Sequence, residues 1–309
     1  MLTEIKGLHH VTSMAADAQI NNRFFTRDLG LRRVKQTVNF DAPEVYHLYY
    51  GDKSGAAGTV MTYFPFPHIA RGRAGTGEVS ETRFSVPRGA IGYWQKRLGG
   101  QGVSGLELDH QFGQKRLRFR GPDGDAFAMI EVDGDTRAPF DGGEVPLSEG
   151  IHGFHGVSMR LRETEATAEL LRFLGYEQID QQGAVTRFAI NGNGADTIDL
   201  EAVGGGDRAR QGAGSVHHVA FAVQDRDAQL RVRKALMDTG YHVTPVIDRD
   251  YFWAIYFRTP GGVLFEIATH DPGFERDEDL ADLGQSLKLP RQHAHLRDQL
   301  QHLLPPLEA

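Results

Sequence analysis

LHHVTSMAADA at 8–18, FHGVSMRLRET at 154–164 and VHHVAFAVQDRDA at 216–228 begin alike. In each, apolar and polar residues alternate as on a half-buried strand. Each strand runs into polar cap candidates (Asp17, Thr164, and Asp225 or Asp227) and then into a helix-like stretch. Those stretches end at glycine, in Asp28-Leu29-Gly30, Phe173-Leu174-Gly175 and Thr239-Gly240. Glycine there accepts the left-handed conformation that closes a helix. A fourth, weaker copy has ETRFSVP (81–87) as its strand and AIGYWQKRLGG (90–100) as its helix. After each helix come β-rich runs that close in a strand following a glycine turn. The closing segments are AGTVMTYF (57–64), PDGDAFAMIEV (122–132), NGADTIDLEAV (193–203) and PGGVLFEIAT (260–269).

The repeat is therefore βαβββ, of roughly 55–65 residues, four times over. One such unit leaves its sheet open, so units should pair to bury their concave faces. The fold class is α+β, with four βαβββ modules forming two pseudo-barrels. The expected domains are 1–135 and 150–272, two modules each, followed by a helical tail at 273–309. The stretch DGDTRAPFDGGEVPLSEG (133–150), rich in Gly, Pro and acids, reads as the linker.

Composition removes several function classes. The chain has 309 residues and no cysteine, which excludes disulfides, thiolate metal sites, iron–sulfur clusters and cysteine nucleophiles. Any metal must be held by His and carboxylate. Lys+Arg number 34 against 41 Asp+Glu, a net charge of −7, which argues against nucleic acid as a partner. MLTEIKGLHH has no basic region followed by an apolar core, and no run approaches the ~18 apolar residues of a membrane span. The expectation is a cytoplasmic enzyme without a membrane partner. Homo-oligomerisation is compatible with the exposed edges and the tail.

His9-His10 and His217-His218 each sit on a first strand, where successive side chains point to opposite faces. The face of His217 continues through Val219, Phe221 and Val223, which suits packing under a helix. The face of His218 continues through Ala220 and Ala222, which leaves room. The cavity-facing residues are therefore His218 and, by the repeat, His10, with Thr12 on the same face. Glu266 lies on the last strand among apolar residues, where a carboxylate is rarely buried unless paired or metal-bound. Aligned on the closing turn, its position holds Thr62 in copy one, Ala128 in copy two and a residue near Ile198 in copy three. The His218 position holds Glu81 in copy two and Gly156 in copy three. Copies two and three thus supply at most one carboxylate and no histidine. For His10, His218 and Glu266 to meet, copies one and four must share a barrel across the linker. Two histidines and one carboxylate, with the fourth protein position vacant, suit non-haem Fe(II).

Four βαβββ units with ligands on first and last strands resemble the vicinal oxygen chelate superfamily of glyoxalases, fosfomycin-resistance proteins and extradiol dioxygenases. Within it the chain looks like the ring-cleaving dioxygenases that act on hydroquinones. The runs GLHHVTSMAADAQINNRFF, LGLRRVKQTVNFDAPEVYHLYYGD, GTVMTYFPFP, HGFHGVSM, SVHHVAFAV and DRDYFWAIYFRTPGGVLFEIATHDPGF carry that resemblance. It implies an Fe(II), alternatively Mn(II), site of His10, His218 and Glu266. It also implies catalytic roles for His9, Thr12, His217, Arg249 and Tyr256, with a small aromatic substrate and O₂ as partners. Phe252, Trp253, Ala254 and His270 depart from the family's commoner residues. By the pleat, His9 and His217 point away from the cavity and reach it only if the strand is bent or bulged. The competing functional reading is a glyoxalase-like metal-dependent isomerase or thiol transferase. It requires a fourth protein ligand, which Thr62 does not provide.

Overall fold

Each repeat folds as a strand, a helix and three further strands in the computed structural model, which describes residues 1–308. Module one comprises β1 (Ile5–Ala15), α1 (Ala18–Arg23, continued by a π-helical turn), β2 (Arg32–Val38), β3 (Tyr46–Gly51) and β4 (Val60–Pro65). Module two comprises β5 (Glu78–Pro87), α2 (Ile91–Gly100), β6 (Glu107–Gln111), β7 (Gln114–Arg120) and β8 (Ala126–Val132). Module three comprises β9 (Gly153–Leu161), α3 (Glu165–Phe173), β10 (Glu177–Gln182), β11 (Val185–Ala189) and β12 (Thr197–Ala202). Module four comprises β13 (Val216–Val223), α4 (Arg226–Asp238), β14 (Ile247–Asp248), β15 (Phe252–Arg258) and β16 (Leu264–Pro272). The tail is mostly short turns, ending in α5 (Arg297–Leu303).

Local chemistry sets the helix ends. Asp17 and Asp225 each accept a backbone N–H three residues on, from Ile20 and Ala228, and so cap α1 and α4. Thr164 precedes α3 without a side-chain cap bond. Gly175 and Gly240 follow α3 and α4 with φ of 99° and 91°, the left-handed region.

The sixteen strands form two eight-stranded curled sheets. One runs β14-β15-β16-β13-β1-β4-β3-β2 and unites modules four and one; the other runs β10-β11-β12-β9-β5-β8-β7-β6 and unites modules three and two. Each sheet therefore draws on both halves of the chain. Its centre is an antiparallel seam of two first strands, β1 with β13 or β5 with β9, flanked by the parallel last strands. Val219, Phe221 and Val223 join Val232 and Leu236 of α4 in the hydrophobic core, as the apolar strand face requires. Val38, Leu48 and Met61 belong to the same core.

The tail covers the β2 edge, which would otherwise offer unpaired backbone. Lys35 is fully buried and donates to Asp277 (2.6 Å) and Glu278 (2.5 Å). Gln36 bridges Leu287, and the Tyr46 hydroxyl donates to the Pro305 carbonyl at 2.8 Å. Among the described residues no helix is long and apolar enough to cross a membrane.

Modules one and two meet where the Tyr63 hydroxyl donates to Asp125 at 2.7 Å. Burial pushes the Asp125 carboxyl up to about 6 despite that bond. A carboxyl raised in the folded state stabilises fully below its unfolded pKa of about 3.9, and the contribution is lost as pH rises through the folded pKa. At pH 7.5 Asp125 therefore costs about 3 kcal/mol relative to acid conditions. Asp125→Asn keeps an acceptor for Tyr63 and should stabilise the protein at pH 7.5, with the gain vanishing near pH 4. Urea midpoints at the two pH values measure this; an equal gain at both would contradict it.

Candidate metal centre

The seam between β1 and β13 slips three times, once between Ile5 and Leu8 and once at each histidine pair. Leu8 opposes Phe221 and His10 opposes Ala220, so His9 is an extra residue; Thr12 opposes His218 and Ser13 opposes Val216, so His217 is another. These are β-bulges, which re-aim side chains and break the simple alternation of faces. The pleat expectation fails for His217 for that reason, while His9 stays off the cavity wall as the pleat implies. His217 lines the cavity, whereas His9 packs behind His10.

His10, His218 and Glu266 converge and are buried. The Nε2 atoms of the two histidines are 3.3 Å apart, and they lie 3.5 Å (His10) and 2.9 Å (His218) from Glu266 Oε2. Right-angled metal–ligand bonds of about 2.1 Å would place neighbouring donor atoms about 3.0 Å apart. Neither Glu266 oxygen has a hydrogen-bond donor, and the residue has no solvent exposure. A carboxylate stripped of both water and donors calls for a cation. The residues thus fit a divalent metal on one face. Burial lowers His218, which leaves a neutral imidazole, the form a metal takes.

The bulged histidines set the tautomers. His9 Nε2 is 3.1 Å from the Thr269 carbonyl, which can only accept, so that nitrogen carries the proton. Burial first, and His10 second, hold the His9 pKa well below its ordinary value, so its Nδ1 is an acceptor. His10 Nδ1, 2.9 Å away, must then donate, which leaves the His10 Nε2 lone pair facing Glu266 and His218. The other pair repeats the arrangement, with His217 Nδ1 at 2.8 Å from His218 Nδ1. A His218 that presents its Nε2 lone pair donates from Nδ1, so His217 keeps its own proton on Nε2. Burial and His218 push the His217 pKa down to about 4.

Thr62 stands at the counterpart of Glu266 by register: Thr62 opposes Thr12 and Tyr49, as Glu266 opposes Ala220 and Tyr256. Its hydroxyl is committed elsewhere, to Thr12 Oγ1 (2.8 Å) and His47 Nε2 (3.0 Å). Thr12 is accordingly buried in a hydroxyl pair and does not line the cavity. His47 Nδ1 in turn meets the Tyr49 hydroxyl at 2.8 Å.

Arg249 follows β14 and lines the cavity. Its neighbours Asp248 and Asp250 do not pair with it: Asp250 accepts Arg276 at 3.1 Å, and Asp248 accepts the Asp250 N–H. Arg249 Nε donates to the Tyr256 hydroxyl at 3.2 Å. Among the described residues its one ion pair within reach is with exposed Asp41, at 3.9 Å. Burial works against the Arg249 cation, but Tyr256 and Glu266 outweigh it and raise its pKa. Burial and Glu266 keep the Tyr256 phenol protonated. Of the departures from the family pattern, Phe252 packs 4.9 Å from the His10 ring, Ala254 is buried, Trp253 carries the Arg226 guanidinium at 3.9 Å, and His270 lies 6.2 Å from His9.

These groups surround a cavity of about 440 Å³. The rest of its wall is mostly apolar and aromatic, from Met14, Phe40, Phe64, Phe66, Phe252 and Leu264, with Asn39 and Gln211 as polar members. Sequence reading missed Phe40, Phe64, Phe66 and Gln211. Phe40 is held from afar: its carbonyl accepts from Gln292 and lies 2.8 Å from His293 of the tail.

The second sheet answers the same positions differently. Arg83 opposes Gly156 as Thr12 opposes His218, which makes Glu81 and Gly156 the counterparts of His10 and His218. The counterpart of Glu266 is Asp199, which opposes Ser158; Ile198, the residue expected from the turn, is one position short. A side chain at Gly156 would collide with the Thr197 carbonyl. Asp199 is bonded by Arg83 and, at 2.8 Å through both Nε and Nη2, by Arg187. Glu81 takes Arg116 and Arg118. Guanidinium groups fill this half-barrel where the first leaves a donor-free carboxylate.

Comparison with known proteins agrees with this architecture. The Bacillus subtilis protein named "Putative ring-cleaving dioxygenase MhqO" is 39% identical, over 100% of this chain and 98% of its own length. The "Chlorohydroquinone/hydroquinone 1,2-dioxygenase" of Sphingobium indicum is 36% identical, over 96% of this chain and 95% of its own. A crystal structure of a Bacillus subtilis protein titled "putative dioxygenase" superposes with a TM-score of 0.95 at 38% identity, covering 99% of this chain and 98% of that one. Zea mays glyoxalase I shares the fold alone, at TM-score 0.63 and 13% identity, covering 86% of this chain and 92% of that one. The profile of the Glyoxalase/Bleomycin resistance protein/Dioxygenase superfamily matches residues 7–267, from the strand that bears His10 to just past Glu266, and the chain belongs to that superfamily.

Proposed function

We propose that the protein is a non-haem Fe(II)-dependent dioxygenase that cleaves the ring of a hydroquinone-like substrate. The observation that carries this reading is the donor-free Glu266 carboxylate beside two outward-facing imidazole lone pairs, opening on an aromatic-lined cavity. Relatives named as ring-cleaving and hydroquinone dioxygenases support the same chemistry. His10, His218 and Glu266 hold the metal; Mn(II) is the alternative ion, since both accept two nitrogens and one oxygen. When bound, the metal supplies a common site that orients and polarises the substrate oxygen and O₂.

The protein's own groups do the rest. The apolar wall excludes water and stacks on the ring. Arg249, a permanent cation without a close carboxylate, favours the deprotonated substrate oxygen and the carboxylate that forms later. Tyr256 accepts from Arg249 and so has its own O–H free to donate into the cavity. His217 lines the cavity with Nε2–H and can donate a hydrogen bond to negative charge that develops on the substrate. His9 and Thr12 act from behind, His9 by fixing the His10 tautomer and Thr12 by holding Thr62 away from the metal. The bond between a hydroxyl-bearing ring carbon and its neighbour breaks. Both atoms of O₂ enter the product, one in a carboxylate and one in an aldehyde, so no external reductant is consumed.

Turnover of hydroquinone under isotopically labelled O₂ tests this, with two labelled atoms expected per ring-opened product. One labelled atom, or none, would contradict it. Tyr256→Phe is expected to lower kcat by roughly 10²-fold with little change in KM, since the lost donor acts on charge that develops during reaction. Steady-state kinetics distinguish this from a packing role, which would move stability instead.

A further inference from the structure

Gln211, His217 and Leu264 line the metal cavity and also a second hollow of about 270 Å³. Arg208, Arg210 and Arg258 line it. Among the described residues none of the three is in an ion pair. The carboxylates at hand are taken: Asp207 by Arg73 at 2.6 Å, and Glu78 by Arg160 at 3.4 Å. Two of the guanidinium groups converge on one residue. Arg258 Nη1 donates to the Gly262 carbonyl at 3.1 Å, and Arg208 Nη2 lies 3.9 Å from where a side chain on Gly262 would begin. The segment carrying Arg208 and Arg210 is pinned by backbone pairing, Thr76 with Arg208 and Arg73 with Arg210. In a chain of net charge −7, three arginines without an ion pair, exposed at the rim of one hollow, are an uneven distribution. An anion beside Gly262 would lie within reach of both Arg208 and Arg258 and relieve their mutual repulsion.

We propose that this hollow is an anion subsite that takes a carboxylate belonging to the molecule bound in the metal cavity. The inference rests on the ring-cleavage reading above. That carboxylate has two sources: an acidic side chain on the aromatic substrate, or the carboxylate that ring opening creates. The aromatic part stays in the apolar cavity, and the charged part passes His217 and Gln211 to the arginines.

Binding measured without O₂ tests the subsite apart from turnover. Metal-loaded protein is titrated calorimetrically with methylhydroquinone, with hydroquinone carrying an acetic acid side chain, and with cis,cis-muconate as a ring-opened diacid. The same titrations are made on the Arg208→Gln/Arg258→Gln protein. An acid that uses the subsite should bind about tenfold more weakly to the variant, while methylhydroquinone binds both proteins alike. Weakening of the acidic hydroquinone identifies a substrate substituent as the source. Weakening of muconate alone identifies the product. If both acids bind wild type and variant equally, or neither binds wild type, the subsite is overturned. Failure of methylhydroquinone to bind wild type would instead count against the ring-cleavage reading, and the muconate titration would still decide the subsite.

Discussion

Glu266→Gln protein is expected to lose metal binding and ring cleavage, the latter by roughly 10³-fold or more, because loss of a ligand exceeds the 10–100-fold cost of losing an outer partner. Its metal-free form should be no less stable than metal-free wild type. Glu266 is fully buried, and neither oxygen meets a donor. Folding the metal-free protein therefore desolvates an anion whose oxygens accept no hydrogen bond. The neutral amide removes that cost. A structural carboxylate would behave in the opposite way, since its replacement would weaken the fold and spare the activity. Metal content by mass spectrometry and thermal unfolding of the metal-free proteins check the two halves separately. A destabilisation above about 2 kcal/mol would show that Glu266 serves the fold.

Asp199→Leu is expected to cost 3–5 kcal/mol of stability, on the order of removing one partner of a buried ion pair. Asp199 occupies in the second half-barrel the place of Glu266 in the first. There the charge is met by Arg83 and Arg187. Arg83 is itself without exposure, with further bonds to the Val157 carbonyl and Thr197 Oγ1 at 3.0 Å. Deleting Asp199 leaves that cation buried and unneutralised. Adding Arg83→Met removes the stranded charge and should recover most of the loss, a coupling that a double-mutant cycle reads directly. Metal affinity in the other half-barrel should not change. Urea denaturation of the two single variants and the double variant, beside a metal titration, tests all of this. A single variant within 1 kcal/mol of wild type would contradict the charge-filled reading of this half-barrel.

The contrast between the two carboxylates also shows where the chain is legible. The histidine doublets and the acid in an apolar strand mark the first site because such groups are costly to bury without a purpose. Their meeting in one sheet follows from repeat alignment alone, since the ligands belong to modules one and four. Asp199 was misplaced by one residue because a glycine turn has no fixed offset from the strand it precedes, whereas pairing with Ser158 fixes the register. The bulges at His9 and His217 were invisible for a related reason. They exist only where β1 meets β13, more than two hundred residues away in the chain, and the local sequence shows ordinary alternation. Phe40 and Asp41 enter the site through a loop held by Gln292 and His293, a contact with no sequence pattern. Arg249 reads locally as one residue in an acidic run. Its freedom depends on Arg276, which takes Asp250 away.

The central claim is that His10, His218 and Glu266 hold a metal that serves ring cleavage. Oxygen consumption by protein reconstituted anaerobically with Fe(II) and then given hydroquinone tests it most directly. The account predicts one O₂ consumed per hydroquinone, with loss of the aromatic absorbance, and neither event in Glu266→Gln protein. Stoichiometric metal binding without oxygen uptake on hydroquinone or catechol would contradict it and direct attention to metal-dependent isomerisation. Uptake retained in the Glu266→Gln protein would show that the oxygen chemistry takes place elsewhere.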